Sequence, residues 1–242
     1  CGELSDFMAN YDPTWGRVKS ITRPVVGNHE YTTSQNPTNS CYNLPAGAPG
    51  YYTYYGSAAS PLDAPCTQNC KGWYSYDLGA WHFIALNSNC ARGVECGNGD
   101  PQLQWLQADL AAHPNQCTLA YWHHPRFSSG QQGDNVFMGP MYTMLYDAGV
   151  DVALNGHDHI YERFAPLAPD GSVDNANGIR EFIVGTGGRN HQSILGTHAG
   201  SVVKNATTFG VLRLELHPTS YEWDFLPVAG ETFTDSGSSA CH

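Results

Sequence analysis

Apolar and polar positions alternate most cleanly near the C-terminus. Leu212, Leu214 and Leu216 are separated by Arg213 and Glu215, and Tyr221, Trp223 and Phe225 by Glu222 and Asp224. A period of two predicts two half-buried antiparallel strands, joined around Pro218-Thr219. Earlier, Arg23-Pro24-Val25-Val26 is a short apolar run ending at Gly27, and predicts a strand feeding a loop. Residues 34–72, rich in Pro, Gly, Asn, Ser and Tyr, read as a long excursion with little regular structure. Trp73 to Ser88 reads as a hairpin turning at Gly79-Ala80. Asp100-Pro101 opens a helix, with Asp as N-cap and Pro at the first position, and Leu103, Leu106 and Leu110 form its buried stripe. Thr118 to Trp122 is a strand, Met141 to Ala148 a helix ended by Gly149, and Val150 to Leu154 a strand again. Phe182-Ile183-Val184 is followed by a Gly-rich turn. Alternating strands and helices followed by an antiparallel meander predict an α/β (α+β) fold of two packed sheets with helices outside.

With 242 residues and 41% hydrophobic positions, the chain is long enough for one large domain, expected over 1–242. Charged residues are only 14%, against roughly 25% in an average soluble domain. The formal charge of −11 and the lack of a basic run exclude a stable nucleic-acid partner; an anionic substrate would need a local cation. Eight scattered cysteines, at 1, 41, 66, 70, 90, 96, 117 and 241, point to disulfides in an oxidising, extracellular setting. The spacings Cys66 to Cys70 and Cys90 to Cys96 would each close a small loop, while the full connectivity stays open. No stretch reaches the ~18 apolar residues of a membrane span. A start at Cys1 without Met reads as a mature or truncated product. Asn205-Ala206-Thr207 is a glycosylation sequon if the host is eukaryotic.

Three segments repeat one design, in which a buried strand ends and ligand-type residues follow at once. They are Val25-Val26-Gly27-Asn28-His29-Glu30, Ala120-Tyr121-Trp122-His123-His124-Pro125 and Ala153-Leu154-Asn155-Gly156-His157-Asp158-His159. Loops converge at strand ends while the strands hold them rigid. Imidazole nitrogen with amide or carboxylate oxygen suits Zn, Fe, Mn or Co. His157 and His159 are two apart, so in extended chain both point into one cleft. Gly27 and Gly156 are expected to let the backbone turn sharply before the ligands. Any one segment alone would more often be a surface feature; the case rests on three with the same context. His113, His217 and His242 read as surface histidines, His82 as structural, and His191 as a lesser candidate for the cleft wall.

The ordered set GNHE, HHP and GHDH-x-YER resembles the calcineurin-like metallophosphoesterases, most closely the branch of purple acid phosphatases and related secreted bacterial phosphatases. The Tyr161-Glu162-Arg163 segment and the Gly185-Thr186-Gly187-Gly188 turn extend the resemblance over nearly the whole chain. It implies a four-layer α/β/β/α sandwich of two mixed sheets, and two divalent or trivalent metal ions (Zn, Fe or Mn) bridged by a carboxylate. By position, Asn28, His123 and His157 would bind one ion and His159 the other. His29 would sit over the phosphate of a small phosphorylated substrate, donating to an oxygen or protonating the leaving group, with its pKa raised by Glu30. Glu30, His124, Asp158, Asn155 and Arg163 would orient ligands or meet the substrate. The two ions would clamp the phosphate and lower the pKa of an attacking water. The family's earlier Asp-x-His and Gly-Asp motifs are not in this sequence, and Cys1-Gly2-Glu3-Leu4 resembles the stretch just after the second. The fold is therefore expected to lack its first strand-helix-strand unit, with Asp6 and Asp12 the nearest acidic substitutes. Hydrolysis of phosphomonoesters is the leading expectation. A phosphodiesterase, or a truncated or remodelled relative acting as a metal-binding or structural domain, is the alternative.

Overall fold

The computed structural model describes residues 1–90, 92–114 and 117–242. In chain order the elements are α1 (Leu4–Asp6), α2 (Pro49–Tyr55), β1 (Tyr74–Leu78), β2 (Trp81–Ala85), α3 (Pro101–Ala112), β3 (Cys117–Tyr121), α4 (Gly139–Asp147), β4 (Val152–Asn155), β5 (Tyr161–Leu167), β6 (Ile179–Val184), β7 (Ser201–Asn205), β8 (Gly210–His217), β9 (Ser220–Pro227) and β10 (Ser236–Ala240). Strands β1 to β7 form one mixed sheet in the order β1-β2-β3-β4-β6-β5-β7, and β10-β9-β8 form a second. Within the first, β2, β3, β4 and β6 run parallel, while β1, β5 and β7 are antiparallel to their neighbours. The expected α/β class with two sheets is what forms. The second sheet is antiparallel in both pairings, and among the described residues no helix follows β4 to cover its outer face.

Strand alternation sorts the side chains into two cores. Ile84, Ala120, Ala153 and Ile183 face the helices, joining Leu103 and Leu106 of α3 and Met141, Tyr142 and Leu145 of α4. Trp81, Phe83, Leu119, Val152 and Phe182 point the other way, against Tyr221, Trp223 and Phe225 of β9. Each fully buried large side chain contributes roughly 1.5–3 kcal/mol, so the sheet-to-sheet contact is a major source of cohesion. The disulfides are Cys1–Cys41, Cys66–Cys70, Cys90–Cys96 and Cys117–Cys241. Two of them close the small loops expected from spacing, and the last ties β3 to the segment after β10.

Three expectations change. Pro24 to Gly27 enters no ladder: side chains take its carbonyls instead, Tyr74 Oη donating to Pro24 O (2.8 Å) and Asn89 Nδ2 to Val26 O (3.1 Å). Residues 34–72 contain a buried helix, α2, whose Tyr51, Tyr52, Tyr54 and Tyr55 are all buried. Phe7 and Tyr11 pack on them, Phe7 stacking on Tyr54 with centroids 5.1 Å apart. Asp100 does precede α3 as its N-cap, but its carboxylate accepts the Gly97 N–H and makes no bond into the helix.

Candidate metal centre

The parallel strands β3 and β4 end side by side, and their exits carry the histidines. Trp122 N donates to Leu154 O (3.1 Å) and Gly156 N to His123 O (3.1 Å), so the two exits stay in register past the ladder. Asn155 Nδ2 adds a bond to Trp122 O (3.1 Å). The loop from Pro24 to Glu30 crosses in front. Gly27 is needed there by close approach, because a Cβ would sit 2.8 Å from Glu30 Oε2 and 3.1 Å from His123 Cε1. The left-handed turn expected at a glycine falls instead on His157, with φ 64°. A side chain in that region costs about 1 kcal/mol or more, and such strain gathers at functional sites.

That turn brings three donor atoms together. His123 Nε2 lies 2.8 Å from Asn28 Oδ1 and 3.2 Å from His157 Nδ1. Neighbouring ligands on one ion with bonds of 2.0–2.1 Å are themselves about 3 Å apart, so this donor set fits a single metal ion. His124 joins the cluster, its ring 4.9 Å from that of His123 and 4.4 Å from that of His157. The Ser88 hydroxyl fixes His124, accepting its backbone N–H (3.0 Å) and lying 2.9 Å from Nδ1.

Burial keeps the cluster deprotonated. It holds the His123 ring well below the ordinary histidine range, helped by the neighbouring His124 and His157. His124 is pushed down to about 3 by burial, with His157 and Arg92 adding to it. His157 is lowered by burial, against the opposing pull of Asp158. Neutral imidazoles are the form that binds metal.

His159 and His29 line a cleft of about 530 Å³ that also includes Glu30 and Arg189. His159 is held by the 190–192 loop, with Nδ1 2.9 Å from Asn190 O and its backbone N–H on Gln192 Oε1 (3.1 Å). Among the described residues no cluster of potential ligands includes His159. The donors that meet, Asn28, His123 and His157, are enough for one ion. Glu30 is turned back onto the Gly27 N–H (2.9 Å). Burial lowers the pKa of His29 and outweighs the raising by Glu30, so the expected net rise does not occur.

Several candidates lie apart from this donor set. Arg163 does not meet the site; it donates to Asp235 through Nε (2.7 Å) and a terminal nitrogen (2.9 Å), on the side facing the second sheet. Asp158 orients no histidine ring. It is fully buried and holds the loop after His124, accepting from Ser128 Oγ (2.5 Å) and Gln132 N (2.8 Å). His191 stacks on Phe209 (4.1 Å) and braces His159 O rather than lining the cleft. Asp6 pairs with the Cys1 amino group and Asp12 accepts from Tyr54 Oη, so neither joins the donor set. Residues missed from sequence include Ser88, Gln192 and Arg189. The run Asn87-Ser88-Asn89 follows β2 after Leu86 and is buried, so it repeats the strand-then-polar signal already read in three other places.

An α/β sheet with nitrogen and amide donors converging beyond its parallel strands is built like a metal-binding hydrolase. The chain belongs to the calcineurin-like phosphoesterase family, whose sequence model matches residues 2–161. It is 29% identical over 162 residues to purple acid phosphatase 15 of Arabidopsis thaliana, covering 62% of this chain and 27% of that protein. It is 27% identical over 190 residues to acid phosphatase type 7 of Homo sapiens, covering 68% and 40%. The chain thus spans well under half the length of these curated relatives. A purple acid phosphatase isolated from yellow lupin (Lupinus luteus) seeds shares the fold, with a TM-score of 0.66 at 20% identity over 89% of this chain and 40% of that one. Among the described residues no helix is long and apolar enough to cross a membrane.

Proposed function

We propose that this chain carries the histidine side of a two-ion centre that hydrolyses phosphate monoesters outside the cell. The observation behind this reading is the convergence of Asn28 Oδ1 and His157 Nδ1 on His123 Nε2, each within hydrogen-bond distance of it. These three would hold one ion, and His159 would contribute to the other. Bound there, zinc, iron or manganese would neutralise phosphate charge and lower the pKa of a coordinated water. His29, lining the cleft with His159, would offer a ring N–H to a phosphate oxygen. Ser88 and Asn155 keep the ligand loops in place. The four disulfides support an extracellular setting, and the relatives' names support phosphatase chemistry.

A second reading has its own support: His159 joins no ligand cluster among the described residues. On that reading the 242 residues bind one ion and act as a metal-binding domain. Metal content and hydrolysis of an aryl phosphate, measured together on the chain, separate the two. The enzyme reading expects turnover that is abolished by a chelator, and a His29→Ala variant that keeps its metal while losing turnover. Loss of metal in His29→Ala would contradict its role, and a single ion without turnover would favour the second reading.

A further inference from the structure

We infer that Arg189 makes the cleft over His29 and His159 selective for phosphate esters whose leaving group carries a second anion. This rests on the phosphatase reading of the same site and names its substrate class. Apart from the Cys1–Cys41 disulfide, every side chain lining the cleft is polar: His29, Glu30, Thr32, Asn39, Ser40, His159 and Arg189. No aromatic or aliphatic wall is present among these to receive an aryl or alkyl group. Glu30 also faces the space, but its carboxylate is engaged by the Gly27 N–H.

Arg189 is placed by its neighbours. Asn190 O lies 2.9 Å from His159 Nδ1, and Gln192 bonds the His159 backbone from both its side chain (3.1 Å) and its own N–H (3.2 Å). On the near side, Gly185 N donates to Ile160 O (3.0 Å) and Thr186 exchanges bonds with Gly210. The loop is therefore stitched to the histidine that would hold an ion. A substrate phosphate at His159 lies beside the cleft wall that Arg189 supplies. Among the described residues the ion-paired arginines are Arg163, with Asp235, and Arg213, with Asp224; Arg189 is exposed and has no such partner. In a chain of net charge −11 with 11 Lys and Arg in all, long-range forces repel a dianionic substrate. A guanidinium at the cleft offsets that locally and reads a carboxylate or phosphate through two parallel N–H bonds.

The test uses two non-hydrolysable probes that differ only in a terminal carboxylate, 3-phosphonopropionate and propylphosphonate, titrated calorimetrically into the zinc-loaded chain. The wild type is expected to bind the carboxylated probe at least about 10-fold more tightly, as a hydrogen bond between charged groups allows. Arg189→Gln should remove that preference, and Arg189→Lys should restore part of it. Equal affinity for the two probes in the wild type, a preference that survives Arg189→Gln, or no binding of either probe would overturn the inference. A retained Arg189-dependent preference without turnover of any ester would instead count against the phosphatase reading alone.

Discussion

One sheet holds histidines in two opposite states. At the carboxyl ends of β3 and β4, His123, His124 and His157 crowd together with an amide and, among the described residues, no carboxylate within bonding distance of their rings. Near the opposite end of the sheet, at the start of β2, His82 is buried too, but its Nδ1 lies 2.8 Å from Asp77 and its Nε2 2.9 Å from Asp109. Burial pushes His82 down, yet the bonds from Asp109 and Asp77 outweigh it and its pKa is raised. Asp109 shows the reverse balance, with burial outweighed by His82 and Ser75. His113, read from sequence as a surface residue, stacks on His82 at 4.5 Å. Burial alone therefore does not decide what a histidine does. Unpaired with carboxylates, its neutral, metal-binding form is favoured; clamped between two, its charged form is favoured and it pins the β1–β2 hairpin to α3.

The contrast breaks most visibly by deletion. His157→Ala or His123→Ala should weaken zinc binding on the order of 100-fold or more, beyond what loss of a supporting residue causes, while His82→Ala leaves affinity unchanged; isothermal titration with zinc checks both. Next in size, His82→Ala should cost about 2–4 kcal/mol in urea unfolding, because Asp109 is left buried without its cation. The same experiment on metal-free His157→Ala should show a smaller loss, since alanine keeps the left-handed strain and no charge is stranded.

Smaller effects follow with pH, and their signs differ between the two clusters. The folded pKa of His82 lies above its unfolded value, so its contribution is fully present below about 6.5 and is lost as pH rises through the folded pKa. For His124 the folded pKa is about 3, so its contribution is present above about 6.5 and is lost as pH falls from there toward 3. The metal-free chain should therefore lose stability on both sides of neutrality. His82→Gln should flatten the alkaline arm alone, and a melting series from pH 4 to 9 reads this directly. The smallest change expected is Asp77→Asn. Asp77 is largely exposed and its bond is worth under about 1 kcal/mol, so a shift as large as that of His82→Ala would mean that Asp77, not Asp109, carries the clamp.

The legible parts of the molecule were those where one physical demand dominates. Strands β8 and β9 face one core and show a clean alternation, and the three ligand segments announced themselves because strand ends carry both burial and chemistry. Strand β5 was hidden because Glu162, fully buried, breaks its apolar pattern; its carboxylate accepts from Ser129 N (2.8 Å) and Ser201 Oγ (2.5 Å), partners far away in sequence. Helix α2 was hidden by Pro, Gly and Tyr, poor helix formers that aromatic packing overrides. Strand β10, Ser-Gly-Ser-Ser-Ala, has no apolar pattern to read. Arg163 was misplaced because nearness in sequence to His159 does not fix the face of the strand: it shares the side of Tyr161, whose hydroxyl also reaches Asp235. Asp158 was misplaced because the turn at His157 sends successive side chains apart.

The convergence of Asn28, His123 and His157 on one ion is tested most directly by nitrogen-15 NMR of the imidazoles during zinc titration. His123 Nε2 and His157 Nδ1 should move together to metal-coordinated shifts at one equivalent, with the His82 nitrogens unmoved. Zinc-induced shifts at His82 first, or none at His123 and His157, would contradict it.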